Sequence, residues 1–123
     1  MKAILIGIGG MIGTLLRYWL SGVVARRYGE TFPTGTIFVN MLGCFAAGAV
    51  FYLTEERFLV DPTLRTVVLI GLLGGFTTFS SFGLQTLTLL RDGELGLAVL
   101  NVGISNVLGL LMVWLGYVVV RGL

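Results

Sequence analysis

The chain has 123 residues, 56% of them hydrophobic and 11% charged, against roughly a quarter charged in ordinary soluble domains, and its mean hydropathy is +0.99. That excludes a soluble globular domain and leaves one integral membrane domain over residues 1–123. A net charge of +2 is too small and dispersed for a nucleic-acid surface; with no histidine and one cysteine, Cys44, one chain has neither a disulfide framework nor a Cys/His metal site.

In chain order, hydropathy predicts four spans, about Ala3 to Val24, Gly35 to Leu53, Thr66 to Leu90 and Leu95 to Val120, each near the roughly 20 residues a membrane helix needs. The first follows Met1-Lys2, as the core of a secretory signal would. It is glycine-rich, carries Arg17 and leads into three further spans, so it is expected to be a true span. Arg17 is the only charge well inside a span, and a cation there either serves an ion path or reaches the interface or the carbonyls of another helix. The polar joints, Ala25-Arg26-Arg27-Tyr28-Gly29-Glu30, Thr54-Glu55-Glu56-Arg57 continuing to Asp61-Pro62, and Arg91-Asp92-Gly93-Glu94, are short enough to force neighbouring helices antiparallel.

The second span holds Asn40, an amide that at this depth must be hydrogen-bonded, either donating to an anion or joining two helices. Asp61-Pro62-Thr63 predicts a cap and first turn for the third helix. That helix contains Gly71-Leu72-Leu73-Gly74-Gly75-Phe76-Thr77-Thr78-Phe79-Ser80-Ser81-Phe82-Gly83, where a glycine pair, clustered hydroxyls and phenylalanines replace a plain lipid-facing pattern. The expectation is a helix broken at mid-membrane, whose freed carbonyls and amides handle ions. Phe79 and Phe82 share a face, and Phe76 is expected to join their register. Ring edges, hydroxyls and amide NH₂ groups donate without full charge, which suits passage of an anion. In the fourth span Asn101 and Ser105 share a face while Asn106 is expected to point elsewhere. Asn106-Val107-Leu108-Gly109 also echoes Asn40-Met41-Leu42-Gly43.

All six acids, Glu30, Glu55, Glu56, Asp61, Asp92 and Glu94, fall in joints or at helix ends. No carboxylate is placed to relay protons or bind a cationic drug, and no nucleophile–base pair is evident, so an enzyme is not expected. A second copy is the simplest way for four helices to enclose a pore. With Lys2, Arg57, Arg65 and Arg121 on one side and Arg26, Arg27 and Arg91 on the other, the charge asymmetry that orients membrane proteins is nearly absent. Chains inserted both ways could pair antiparallel, their third helices crossing at the two-fold axis.

Gly9-Gly10-Met11-Ile12-Gly13-Thr14-Leu15-Leu16-Arg17-Tyr18, then Gly35-Thr36-Ile37-Phe38-Val39-Asn40-Met41-Leu42-Gly43, then Gly74-Gly75-Phe76-Thr77-Thr78-Phe79-Ser80-Ser81-Phe82 resemble, in order, the Fluc (CrcB-type) fluoride channel family. The resemblance implies a passive channel exporting fluoride across the cytoplasmic membrane, built as an antiparallel, dual-topology homodimer with two pores. It also implies a central structural Na⁺ held by the backbone carbonyls of Gly74 and Thr77 from each subunit. Phe79 and Phe82 would present ring edges to fluoride, Asn40 would donate its amide, Ser80, Ser81 and Ser105 would line the polar track, and Arg17 would lie near a vestibule. The chain departs from many relatives at Ser81, where they have threonine, and at Asn101, where some have tyrosine. A small multidrug-exporter-like dimer is the alternative, weakened by the missing mid-membrane carboxylate. A membrane assembly factor would leave the Thr/Ser/Phe cluster without a use.

Overall fold

The computed structural model describes residues 1–123. Four helical stretches, Lys2–Tyr28, Thr34–Arg57, Pro62–Arg91 and Leu95–Arg121, are long and apolar enough to cross a membrane. We label them α1 (Lys2–Tyr28), α2 (Thr34–Arg57), α3 (residues 62–76), α4 (Phe79–Arg91) and α5 (Leu95–Arg121); α3 and α4 are the two arms of the third stretch.

Two helices run further than hydropathy suggested. α1 extends through Arg26, Arg27 and Tyr28, because cations in a last turn complement the helix dipole. It ends at Gly29, whose φ of 92° needs no Cβ and whose N–H bonds the Ala25 carbonyl at 2.8 Å. α2 continues past Leu53 in wider π-type turns to Arg57. α3 opens as its Asp-Pro-Thr signal predicts: Asp61 Oδ2 accepts from the N–H groups of Thr63 and Leu64 at 2.9 and 3.1 Å, with Pro62 in the first turn. Gly93, at φ 79°, makes the turn from α4 to α5.

Packing is by close backbone approach. α1 lies along α3, where a Cβ on Gly75 would stand 2.5 Å from the Gly10 carbonyl oxygen and one on Gly71 2.7 Å from that of Ile6. α2 lies along α5, with Gly48 against the Val113 carbonyl and Gly116 against that of Phe45. In lipid there is little hydrophobic gain between helices, so van der Waals contact at such small-residue seams is what holds them.

Candidate functional site

Between α3 and α4 the backbone leaves the helix for two residues. Thr77 (φ −92°, ψ 160°) and Thr78 (φ −151°, ψ 118°) are extended. Three side chains hold this bend. Asn40 from α2 grips Thr78 on both sides, its Oδ1 accepting from the Thr78 N–H at 2.8 Å and its Nδ2 donating to the Thr78 carbonyl at 2.9 Å. Thr78 caps α4, its Oγ1 accepting from the Ser81 N–H at 3.1 Å. Arg17 reaches over from α1 and donates Nε to the Gly75 carbonyl at 3.0 Å.

These bonds redirect two N–H groups. In an unbroken helix the Thr78 N–H would serve the Gly74 carbonyl and the Ser81 N–H that of Thr77. Here the first goes to Asn40 and the second to the Thr78 hydroxyl, and the Thr77 carbonyl receives no hydrogen bond. The Gly75 carbonyl, by contrast, is occupied by Arg17. Gly43 of α2 fits beneath the bend, with no room for a Cβ against the Thr77 methyl group.

Beside the bend lies a cavity of about 330 Å³. Its wall includes Asn40, Gly74, Thr77, Thr78, Phe79, Phe82, Ser105 and Asn106, with no acidic or basic side chain. The two phenylalanine rings stand 5.3 Å apart between centroids at a tilt of 48°. Phe82 is 9% exposed whereas Phe79, beside it, is 79% exposed. Asn40 has a second Nδ2–H left after its bond to Thr78. Asn106 uses one N–H on the Val102 carbonyl at 2.8 Å and likewise retains another. The cavity wall thus combines neutral donors with apolar surface.

Of the residues singled out in the sequence, Asn40, Gly74, Thr77, Phe79, Phe82 and Ser105 meet here. Ser80 and Ser81 lie in the first turn of α4 outside the cavity wall, the Ser80 hydroxyl 3.4 Å from that of Thr78. Arg17 lies on the α1 side of the bend, away from the cavity.

Two expectations change. Phe76 does not join Phe79 and Phe82: the extended pair turns the chain, and Phe76 packs with Leu16, Trp19 and Leu42 around a separate apolar cavity. Asn106 does not point elsewhere but borders the cavity next to Ser105, because a wide concavity admits adjacent residues of one helix. The echo between its Asn-x-Leu-Gly sequence and that of Asn40 was the signal for it. Asn101, from the same helix, is 1% exposed. It donates Nδ2 to Thr86 Oγ1 at 2.9 Å and accepts from Ser105 at 3.3 Å, tying α4 to α5.

Comparison with known proteins finds relatives along nearly the whole chain. The family described as CrcB-like protein, Camphor Resistance (CrcB), matches residues 4–117. A protein of Opitutus terrae named fluoride-specific ion channel FluC is 55% identical over 120 residues, covering 96% of this chain and 91% of that protein. Proteins of the same name from Methylocella silvestris (50% over 114 residues; 91% and 87%) and Magnetococcus marinus (47% over 116 residues; 94% of each) are similar along almost their whole length.

Proposed function

Because the chain belongs to the CrcB-like family, a family of ion channels rather than enzymes, we propose that this multi-pass integral membrane protein is a passive fluoride-selective channel. The observation that carries the proposal is the uncharged cavity in which Asn40, Ser105 and Asn106 face Phe79 and Phe82. Fluoride is small and tightly hydrated, so a path for it must offer several donors in place of water. The spare amide N–H groups of Asn40 and Asn106 and the positive ring edges supply them, and Ser105 adds its one O–H by releasing Asn101. None carries a fixed positive charge, so the anion is not trapped as it would be by a buried lysine or arginine.

The working unit is an antiparallel, dual-topology homodimer with one pore per chain, placed in the cytoplasmic membrane. Its support is lateral exposure. Ser80 and Asn106 are exposed, and the Thr77 carbonyl has no donor; facing lipid, such polar groups are costly. A second copy laid over the bend covers them. The two arms of the third stretch, residues 62–76 and the 13 residues of α4, each span about 20 Å at 1.5 Å per residue. The bend therefore belongs near mid-membrane, where two such bends could meet on a two-fold axis.

A sodium ion on that axis fits the donor set. The Gly74 and Thr77 carbonyls are those whose helical donors are diverted, and hard cations take oxygen ligands. These four carbonyls, two from each chain, would hold Na⁺, which would neutralise converging carbonyl dipoles and fix the interface without taking part in anion transfer.

The test is fluoride efflux from proteoliposomes, followed with a fluoride electrode, with chloride as control. Wild type should pass fluoride and not chloride; Phe79→Ile and Asn40→Asp should abolish the flux, the latter by replacing an NH₂ donor with a negative charge. Absence of fluoride flux in wild type with sodium present would overturn the proposal. Flux surviving in both variants would move the path away from this cavity.

A further inference from the structure

The opposite end of the bundle from the Glu30 joint carries a second feature with no role in the cavity. α2 and α3 are joined by Phe58, Leu59, Val60 and Asp61, and this connection is apolar where a water-facing loop would be polar. Phe58 is 55% exposed and the Leu59 side chain is fully exposed.

The loop is also held firmly from below. Its first N–H, from Phe58, bonds the Leu53 carbonyl at 2.9 Å. Arg65 of α3 pairs with Glu55 of α2 across the base and lies over the Phe51 ring. The Tyr117 hydroxyl of α5 donates to Glu56 Oε1 at 2.7 Å, and Asp61 is engaged as the α3 cap. All three acids at this end are therefore satisfied within the chain. Arg57 has no ion pair; its guanidinium sits 5.5 Å above the Phe58 ring, beside the exposed apolar tip.

We propose that this loop is an interfacial anchor: Phe58 and Leu59 insert below the phospholipid headgroups while Arg57 binds a headgroup phosphate. The occupant is phospholipid because the loop directly joins two membrane spans, which fixes it at the bilayer boundary. Aromatic and aliphatic side chains next to an unpaired cation match that boundary, apolar below and anionic above. The bracing keeps the tip from folding back on the bundle. Anchored in this way, the loop would set the depth at which α3 enters the membrane, and hence the level of the Thr77–Thr78 bend. The inference requires membrane embedding but not the proposed ion selectivity.

The experiment places a nitroxide at residue 59 of the full chain (Leu59→Cys in a Cys44→Ala background) reconstituted in phosphatidylcholine with a minority of phosphatidylglycerol. The comparison site is Glu30→Cys in the polar joint at the other end. Both variants should elute in detergent like wild type, since both positions are exposed. Relaxation by oxygen relative to a water-soluble nickel complex should be at least about threefold greater at residue 59 than at residue 30, as expected for a group below the headgroups. Equal, water-like accessibility at the two sites would overturn the anchor, and would be the result if the tip served a soluble protein instead. Adding Arg57→Gln should lower the ratio at residue 59 and remove its dependence on phosphatidylglycerol. A ratio insensitive to both would overturn the phosphate contact.

Discussion

α3 and α4 belong to one apolar stretch of sequence, yet the protein holds them by different means. α1 grips α3 backbone to backbone: Gly71 and Gly75 lie so close to the Ile6 and Gly10 carbonyls that a methyl group would not fit. α4 has no such seam. It is positioned by Asn40 at its start, by its own Thr78 cap and by Thr86 to Asn101 further along, while Phe79 at its tip stays exposed. A glycine seam holds one geometry and fails as a whole. A set of side-chain bonds can be altered singly, each change moving the donors and rings that line the cavity. The rigid arm is thus expected to govern folding, and the tethered arm to govern conduction.

The largest effect should come from forcing the seam. In Gly75→Val the new Cβ would meet the Gly10 carbonyl oxygen at 2.5 Å, and neither backbone has a flexible end that can yield. Overpacking costs about 1–3 kcal/mol where side chains can adjust, and more is expected here. Thermal denaturation followed by size-exclusion chromatography should show loss of the folded species, with flux falling in proportion to it. Flux lost from a fully folded Gly75→Val protein would break the division between the arms.

Next is Asn40→Ala, which strands the Thr78 N–H and carbonyl together. Each unpaired group costs about 1–3 kcal/mol. The cost should appear as displacement of the bend rather than as unfolding, because the α1–α3 and α2–α5 seams are untouched. Fluoride flux should fall by more than about tenfold, the equivalent of about 1.4 kcal/mol, with the elution profile unchanged. A smaller loss is expected from Thr78→Ala, since an N-cap is worth about 1 kcal/mol. Flux should drop severalfold, and Thr78→Ser, which keeps the hydroxyl, should recover it.

This division was only half legible in the sequence. The four spans, the Asp61 cap and the irregularity around Gly74–Ser81 all follow from local rules, because hydropathy, proline and capping residues act within a few positions. The meeting of Asn40, Phe79, Phe82 and Ser105 was reached through motif resemblance. What local rules do not carry is direction after an interruption. Two extended residues turn the chain, so Phe76 and Phe79, three apart, face different cavities, where helical spacing would have put them side by side. Asn40 shows the same limit: only the distances to Thr78 reveal that it ties α2 to the bend. One N–H is committed to the backbone and one is left.

The smallest effect tests the far end of the tethered arm. Thr86→Val keeps the shape of the side chain but removes the acceptor that Asn101 Nδ2 uses at 2.9 Å. Interhelical side-chain bonds in bilayers average about 0.6 kcal/mol, with a maximum near 1.7, and Asn101 keeps its contact with Ser105. The folded protein should persist, and flux should stay within about threefold of wild type by that measure. Thr86→Ser should be indistinguishable from wild type. The informative case is the pair Thr86→Val with Asn101→Leu: if Asn101 serves only to tie α4 to α5, the double variant should be no worse than either single one. If Asn101→Leu alone removes flux while Thr86→Val does not, the effect must pass through Ser105, the one partner of Asn101 that borders the cavity. The fourth span would then contribute to conduction through the orientation of that hydroxyl rather than through the placement of α4.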